Sequence, residues 1–260
     1  MTTPSFASVI LNKPGLLCIP NAWDAASARR VVSAGAPLIA TTSAGVSWSL
    51  GLSDGEALTP PQVVQRALEI RRVCPATPLS VDIERGYSNS PRDVVELVDA
   101  LVAAGVSSIN IEDGDETAAV LASKIAAIRS RHDRRTLFVN ARTDVYLLGL
   151  AAHESRASEA ISRASIYVDA GCDGVFVPGV IDIGEIDAIA KSVAAPLNVM
   201  ALPGLPTVDE LERLGVRRLT AGPALAIATY GRCEQLAGEF MSGQMGGVWA
   251  APIDFAGMNT

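Results

Sequence analysis

A four-residue phrase recurs along this chain, as Ser33-Ala-Gly-Ala36, Ala103-Ala-Gly-Val106, Asp169-Ala-Gly-Cys172 and Arg213-Leu-Gly-Val216. Each copy follows a helix-like stretch and precedes an apolar run. Glycine just past a helix takes the left-handed conformation cheaply, so each copy reads as a helix C-cap feeding a strand. Strand candidates fall at 16–20, 38–42, 79–83, 108–112, 137–142, 174–178, 197–200 and 218–220, eight in all. Amphipathic segments such as 60–73, 91–104, 118–131, 155–170 and 208–214 lie between them. Eight alternating units predict an α/β fold of the (β/α)8 TIM-barrel type. A doubly wound open sheet is the competing architecture, but no G-x-G-x-x-G follows the first strand.

Length and composition agree with a barrel. A chain of 260 residues, 49% hydrophobic and 19% charged, has ample material for one core. We expect a single domain over 1–260, with 237–260 as a C-terminal extension. The net charge of -7 with no basic block argues against nucleic acid and anionic membranes as partners. No apolar run approaches the ~20 residues a bilayer span needs, and the N-terminus lacks the pattern of a signal peptide. A cytoplasmic location is expected. Cys18, Cys74, Cys172 and Cys233 form no C-x-x-C pair and read as reduced, mostly buried thiols. The run Gly238-Glu-Phe-Met-Ser-Gly-Gln-Met-Gly-Gly-Val-Trp-Ala250 mixes glycine with apolar residues. It reads either as packing against another subunit or as a disordered tail.

A barrel places its chemistry at the C-terminal ends of strands, on residues facing the axis. Polar residues gather there: Thr41, Thr42 and Ser43; Asp82 and Glu84; Asn110 and Glu112; Asn140, Arg142 and Asp144; Asn198; Thr220. Strand alternation puts Asp82 and Glu84 on one face, about 7 Å apart. It pairs Asn110 with Glu112 and Asn140 with Arg142 in the same way. Buried carboxylates this close raise their pKa values or find a cation. With no His or Cys beside them, Asp82, Glu84 and Glu112 suit Mg²⁺ or Mn²⁺. Pairing with Arg85, Arg142 and surface lysines is the other reading. Arg142 suits either a substrate carboxylate or a salt bridge to one of the acids. The backbone amides of Thr42, Ser43 and Ala44, in a small-residue turn before Gly45, suit an oxyanion, or the turn is merely tight. His132 reads as part of a solvated helix end. His153 begins a helix after the fifth strand. Tyr87 reads as a ligand neighbour or a packing residue, and Trp23 and Trp48 as pocket walls.

Several motifs then agree in order: Pro20-Asn-Ala-Trp-Asp-Ala-Ala-Ser27, Thr42-Ser-Ala-Gly45, Leu50-Gly-Leu-Ser-Asp54, Val81-Asp-Ile-Glu-Arg-Gly-Tyr87, Ile109-Asn-Ile-Glu-Asp113, Val139-Asn-Ala-Arg-Thr-Asp144 and Asn198-Val-Met-Ala-Leu-Pro-Gly204. Together they resemble the isocitrate lyase/phosphoenolpyruvate mutase superfamily. The resemblance implies a (β/α)8 barrel whose last helix is exchanged between subunits of a homo-oligomer, a dimer or tetramer. It implies Mg²⁺ held by Asp82, Glu84 and Glu112, partly through water. It implies a 2-oxo acid substrate among Trp23, Asp24, Thr42, Ser43, Ala44, Asp82, Arg142 and Asn198, with Arg142, Thr42 and Asp54 as catalytic residues. The shared chemistry breaks a C–C or P–C bond next to an enolate of pyruvate.

The departures from the family pattern narrow the reaction. The lyase branch carries a Lys-Lys-Cys-Gly-His loop after the fourth strand. Here that region reads Glu112-Asp-Gly-Asp-Glu-Thr-Ala-Ala119 and runs straight into a helix. The mutase branch's asparagine-bearing loop is missing too. Glu84 stands where aspartate is usual, Thr42 replaces a serine and Ser88 a glycine. Cleaving isocitrate requires both a base and an acid, and P–C hydrolysis needs an activated nucleophile. Decarboxylation needs less, because carbon dioxide leaves without a proton. A Mg²⁺-dependent lyase on a small 2-oxo acid is expected, with oxaloacetate decarboxylation as the concrete case. A lyase on a larger 2-oxo or 2-hydroxy acid, a phosphonopyruvate hydrolase or mutase, and a non-catalytic 2-oxo acid binding protein stay open.

Overall fold

The computed structural model describes residues 6, 9–10, 15–55, 57–250 and 253–258. Nine parallel strands follow one another: β1 (Leu17–Ile19), β2 (Asn21–Ala22), β3 (Ile39–Thr41), β4 (Leu79–Asp82), β5 (Ser108–Glu112), β6 (Phe138–Arg142), β7 (Gly174–Phe176), β8 (Leu197–Met200) and β9 (Val216–Thr220). Around the sheet the order is β1-β9-β8-β7-β6-β5-β4-β3-β2. Only Pro20 separates β1 from β2. Proline brings no N–H to a ladder, so one stave is split there: β1 pairs with β9 while β2 pairs with β3. The two halves of that stave join the ends of the sheet, and the result is the expected (β/α)8 barrel. The eight strand candidates become nine for this reason.

The helices are α1 (Ala25–Ser33), α2 (Ser43–Ser49), α3 (Pro60–Val73), α4 (Pro91–Ala103), α5 (Ala118–Arg131), α6 (Arg156–Asp169), α7 (Ile183–Ser192), α8 (Val208–Arg213), α9 (Ala224–Met241), α10 (Gly246–Trp249) and α11 (Phe255–Met258). Prolines at the first positions of α3 and α4 cost nothing there, since those N–H groups have no intrahelical partner. Capping boxes at Thr59/Gln62 and Thr207/Glu210 each contribute about 1 kcal/mol. At the recurring C-caps, Gly35, Gly105, Gly171 and Gly215 all hold positive φ, between 84° and 106°.

Apolar stripes of the helices and the outward faces of the strands form one large core, containing Val94, Leu97, Val98 and Leu101 of α4 with Ile109 and Ile111 of β5. Each such side chain contributes roughly 1.5–3 kcal/mol on burial. The opposite strand face carries a smaller cluster, Phe6, Leu17, Ile19, Leu38, Ala40 and Phe138, inside the barrel. By alternation, the inward positions further along β4, β5 and β6 are Asp82, Asn110 and Glu112, and Asn140 and Arg142.

Several expectations are corrected. Thr42–Ala44 is no simple turn: Ser43 opens α2, with Thr42 as its N-cap. His132 is buried, not solvated, because its Nε2 lies 2.7 Å from Asp99 Oδ1. Cys74 and Cys172 are buried, but Cys18 and Cys233 are exposed. The proposed boundary at 237 falls inside α9, which continues to Met241. Ala226 is the only buried residue of α9, and Ile227, Phe240, Met241, Trp249 and Phe255 stand exposed on it and the helices beyond. No helix among the described residues is long and apolar enough to cross a membrane.

Candidate active site at the strand C-termini

A cavity of about 130 Å³ opens at the C-terminal ends of the strands, room for about four waters or a small acid. Thr41, Asp82, Asn110, Arg142, Phe176, Met200 and Thr220 line it from the strands, and Thr42, Ser43 and Ala44 from the start of α2. Asp54 joins from an exposed loop. No His, Cys, Lys or Tyr belongs to this lining among the described residues.

Asp82 is held at the cavity wall by weak backbone contacts, accepting from Ser43 N at 3.4 Å and Glu84 N at 3.3 Å. Arg142 is fixed between two acids. Its Nη1 lies 2.7 Å from Glu112 Oε2, and its Nε and Nη2 donate to the two Asp144 oxygens at 2.6 and 3.1 Å. Burial pushes the Asp82, Glu112 and Asp144 carboxyls above their ordinary range, and Arg142 only partly offsets it. Neighbouring Asp82, Asp144 and Glu84 raise Glu112 further. Burial alone would lower Arg142, but Glu112, Asp144 and Asp82 outweigh it and keep the guanidinium charged. The Arg142 guanidinium thus faces three acids, Glu112, Asp144 and Asp82.

The strand face inferred for Asp82 and Glu84 is corrected in part. β4 ends at Asp82, and Glu84 has φ 48°, so it lies in the turn beyond. Gly86 at 90° and Tyr87 at 57° complete this left-handed turn. Non-glycine residues avoid this region, and such strain is kept where surrounding contacts over-determine it. Here Tyr87 Oη donates to Glu84 Oε1 at 3.0 Å, and Glu84 is 2% exposed. Burial and the Glu84 charge both raise the Tyr87 phenol, so it stays protonated.

Behind the cavity lies an acid that sequence reasoning missed. Asp113 is wholly buried, and its carboxylate accepts from Thr143 Oγ1 (2.8 Å), Asp144 N (2.8 Å), Arg163 Nη1 (3.0 Å) and Tyr167 Oη (2.6 Å). It anchors the backbone that carries Asp144, which in turn orients Arg142. The lining residues Asn21, Leu147, Phe176, Met200, Gly222 and Pro223 were also not anticipated. Their positions at or just past strand ends were the available signal.

Other expected site residues lie elsewhere. Asp24 caps α1, accepting from Ser27 N at 2.7 Å. Trp23 is buried with its ring 6.0 Å from that of Tyr230. Both border a groove between α1 and α9 instead of the cavity. Asn198 is fully buried and donates to Val199 O and Thr220 Oγ1. Trp48 packs on the core, His153 is exposed in a short 3-10 turn, and Arg85 pairs with Asp115.

The donor set suits a hard divalent ion. Glu112 Oε2 is buried and accepts no hydrogen bond, because Arg142 Nη1, though close, is not aligned with it. Among the described residues no three acidic, His or Cys side chains converge closely enough to wrap an ion unaided. Water would complete the shell, as Mg²⁺ prefers.

Known proteins share this fold and much of this sequence. The family model described as phosphoenolpyruvate phosphomutase matches residues 6–241. An uncharacterised Mycobacterium tuberculosis protein is 40% identical, over 78% of this chain and 76% of its own. A 2-methylisocitrate lyase of Salmonella typhimurium is 31% identical over 77% of this chain and 72% of its own. An oxaloacetate decarboxylase of Pseudomonas entomophila is 31% identical over 69% and 64%. A solved structure from Burkholderia cenocepacia J2315, provisionally described as a lyase/mutase, superposes with TM-score 0.88 at 31% identity over 97% of this chain and 92% of that one. A phosphonopyruvate hydrolase solved with oxalate and Mg²⁺ shares the fold, with TM-score 0.83 at 24% identity over 97% and 92%.

Proposed function

Because this chain belongs to the phosphoenolpyruvate phosphomutase family, within the isocitrate lyase/phosphoenolpyruvate mutase superfamily of lyases and mutases, we propose that it is a Mg²⁺-dependent lyase of small 2-oxo acids, with oxaloacetate decarboxylation to pyruvate as its reaction. The observation that carries this reading is the cavity lining: two carboxylates, a guanidinium and helix-start amides, without a His, Cys, Lys or Tyr among the described residues. Decarboxylation of a 2-oxo diacid fits that inventory. The C3–C4 bond breaks, its electron pair passes toward the 2-oxo oxygen, and carbon dioxide leaves needing no general acid or base.

Asp82, Glu84 and Glu112 would hold the ion, Mg²⁺ or Mn²⁺, with water. When bound, it supplies Lewis-acid stabilisation of the negative charge that develops on the 2-oxo oxygen. Arg142 grips the C1 carboxylate, its plane set by Asp144. The Ser43 and Ala44 amides at the start of α2 attract the same carboxylate, and Thr42 shapes that end of the cavity. Asp54 lines the exposed mouth, where solvent reaches C3 and protonates the enolate once carbon dioxide has left. Only residues 113–117 separate β5 from α5, so this segment supplies no long lid and turnover is modest. The oxaloacetate decarboxylase of Pseudomonas entomophila supports oxaloacetate as the substrate.

The apolar faces of α9 to α11 are covered in our reading by a second copy of the chain, through exchange of α9 in a homo-oligomer. Two free buried and two free exposed thiols suit a reducing, cytoplasmic compartment.

The test is pyruvate release from oxaloacetate, phosphonopyruvate and methylisocitrate, each with Mg²⁺ and with chelator. Metal-dependent release from oxaloacetate supports the proposal. Release from another member reassigns the substrate, and metal-dependent binding with no turnover makes the chain a binding protein.

A further inference from the structure

Arg218 heads the fully buried side chains of this protein by volume, at 0% exposure. It projects from β9 on the face it shares with Thr220, opposite Asn198 of β8 and past a register irregularity that sends Val216 to the helix side, inside the barrel. Its Nε, Nη1 and Nη2 are all buried, and none donates a hydrogen bond among the described residues. No carboxylate pairs with it there either. Burial is the sole influence on its basicity and pulls it down only to about 9. The guanidinium therefore stays charged at neutral pH.

The Phe6 and Phe138 ring centroids lie 5.2 and 5.7 Å from Arg218 Cζ, and 5.5 Å from each other. These three distances make a nearly equilateral triangle, so both rings stand to one side of the guanidinium. They compensate part of its charge but do not enclose it. Two amide oxygens on the same interior are unsatisfied as well. Asn198, the register partner of Arg218 on β8, has given its Nδ2 to Val199 O and Thr220 Oγ1, and its Oδ1 has no donor. Asn140 on β6 has given its Nδ2 to Asn110, and its Oδ1 is buried without a donor. Buried polar groups are nearly always paired, and buried charges are paired too.

We propose that Arg218 anchors a closed anion site in the barrel interior, taking one small monovalent inorganic anion of chloride size, with water bridging it to Asn198 and Asn140. Water alone would satisfy the N–H groups and leave the charge uncompensated. A single positive charge calls for a single negative one. The apolar surroundings, Leu17, Ile19, Leu38 and Ala40, favour a weakly hydrated ion over a large oxyanion. None of these residues lines the cavity that holds Asp82, so the site stands or falls independently of the catalytic reading.

Bromide replaces chloride and scatters anomalously. Crystals of the full chain grown with sodium bromide are expected to show an anomalous peak beside the Arg218 guanidinium. Water density with no bromide peak there overturns the proposal. In solution, at fixed Mg²⁺ and ionic strength, Tm is expected to rise saturably by several degrees when gluconate is replaced by about 100 mM chloride, as linkage to a bound ion requires. Arg218→Met, which keeps the length and removes the charge, is expected to abolish that rise. An equal rise in the variant, or none in the parent protein, contradicts the site. If the variant fails to fold, the bromide experiment on the unmodified chain decides.

Discussion

Arg142 and Asp144, two residues apart, form a two-pronged ion pair: Nε to Oδ1 at 2.6 Å and Nη2 to Oδ2 at 3.1 Å. The pair fixes the plane of the one guanidinium that lines the cavity among the described residues. Asp144→Asn keeps the shape and removes the charge that holds it. Since a misplacement of about 1 Å can cost about 100-fold, we expect kcat/KM for the 2-oxo acid to fall by about 100-fold, mainly through KM. Steady-state kinetics on the purified variant checks this; an unchanged KM would show that Arg142 does not depend on Asp144.

Asp113 takes four hydrogen bonds with no solvent exposure of its side chain. Asp113→Asn removes the charge that faces Arg163 and is expected to cost about 3–5 kcal/mol, the usual consequence of breaking one side of a buried pair. Tyr167→Phe deletes one bond to the same carboxylate and is expected to cost about 1.5–3 kcal/mol. Urea unfolding of both variants gives the comparison, and equal losses would mean that the Arg163 charge is not what Asp113 satisfies.

Gly86 holds φ 90°, and a Cβ built there would approach Val94 Cγ2 to 2.8 Å. Gly86→Ala therefore combines backbone strain with a clash against α4, and a loss of about 1–3 kcal/mol is expected. Because the same turn carries Glu84, Mg²⁺ affinity should weaken in parallel. Calorimetric titration with Mg²⁺ reads the second effect; full affinity in a destabilised variant would detach Glu84 from the metal.

Ile227 and Phe240 on α9 are 56% and 54% exposed, a liability for a helix left alone in water. Light scattering on the eluted protein should give a multiple of the 27.0 kDa chain. Ile227→Glu is expected to lower that mass and reduce Tm. A monomeric parent protein would remove the exchanged-helix reading.

The barrel was legible because its signals are local: glycine C-caps, a two-residue strand period and polar residues massed at strand ends. What escaped was set by tertiary context. The positive φ of Glu84 and Tyr87 leaves no mark in residue type, so alternation was carried two residues too far. Asp113 follows an inward-facing glutamate and by the same alternation points away from the axis. That is where it lies, buried against Arg163 and Tyr167 of α6, and its role depends on partners 50 and 54 residues away. Small residues at Ser43-Ala-Gly-Val46 hide the start of α2 because they carry no apolar period. Arg218 opens the last strand candidate, where residue type does not tell which face a side chain takes, and only the barrel's closure turns it inward.

The most direct test of the account is calorimetric titration of oxalate, a planar dianion whose adjacent oxygens resemble those of a pyruvate enolate, into the protein with Mg²⁺ and with chelator. We predict binding with Mg²⁺ only, and its loss in Asp82→Ala. Oxalate binding of equal strength in chelator, or undiminished in Asp82→Ala, would contradict a cation held at Asp82 as the centre of this site.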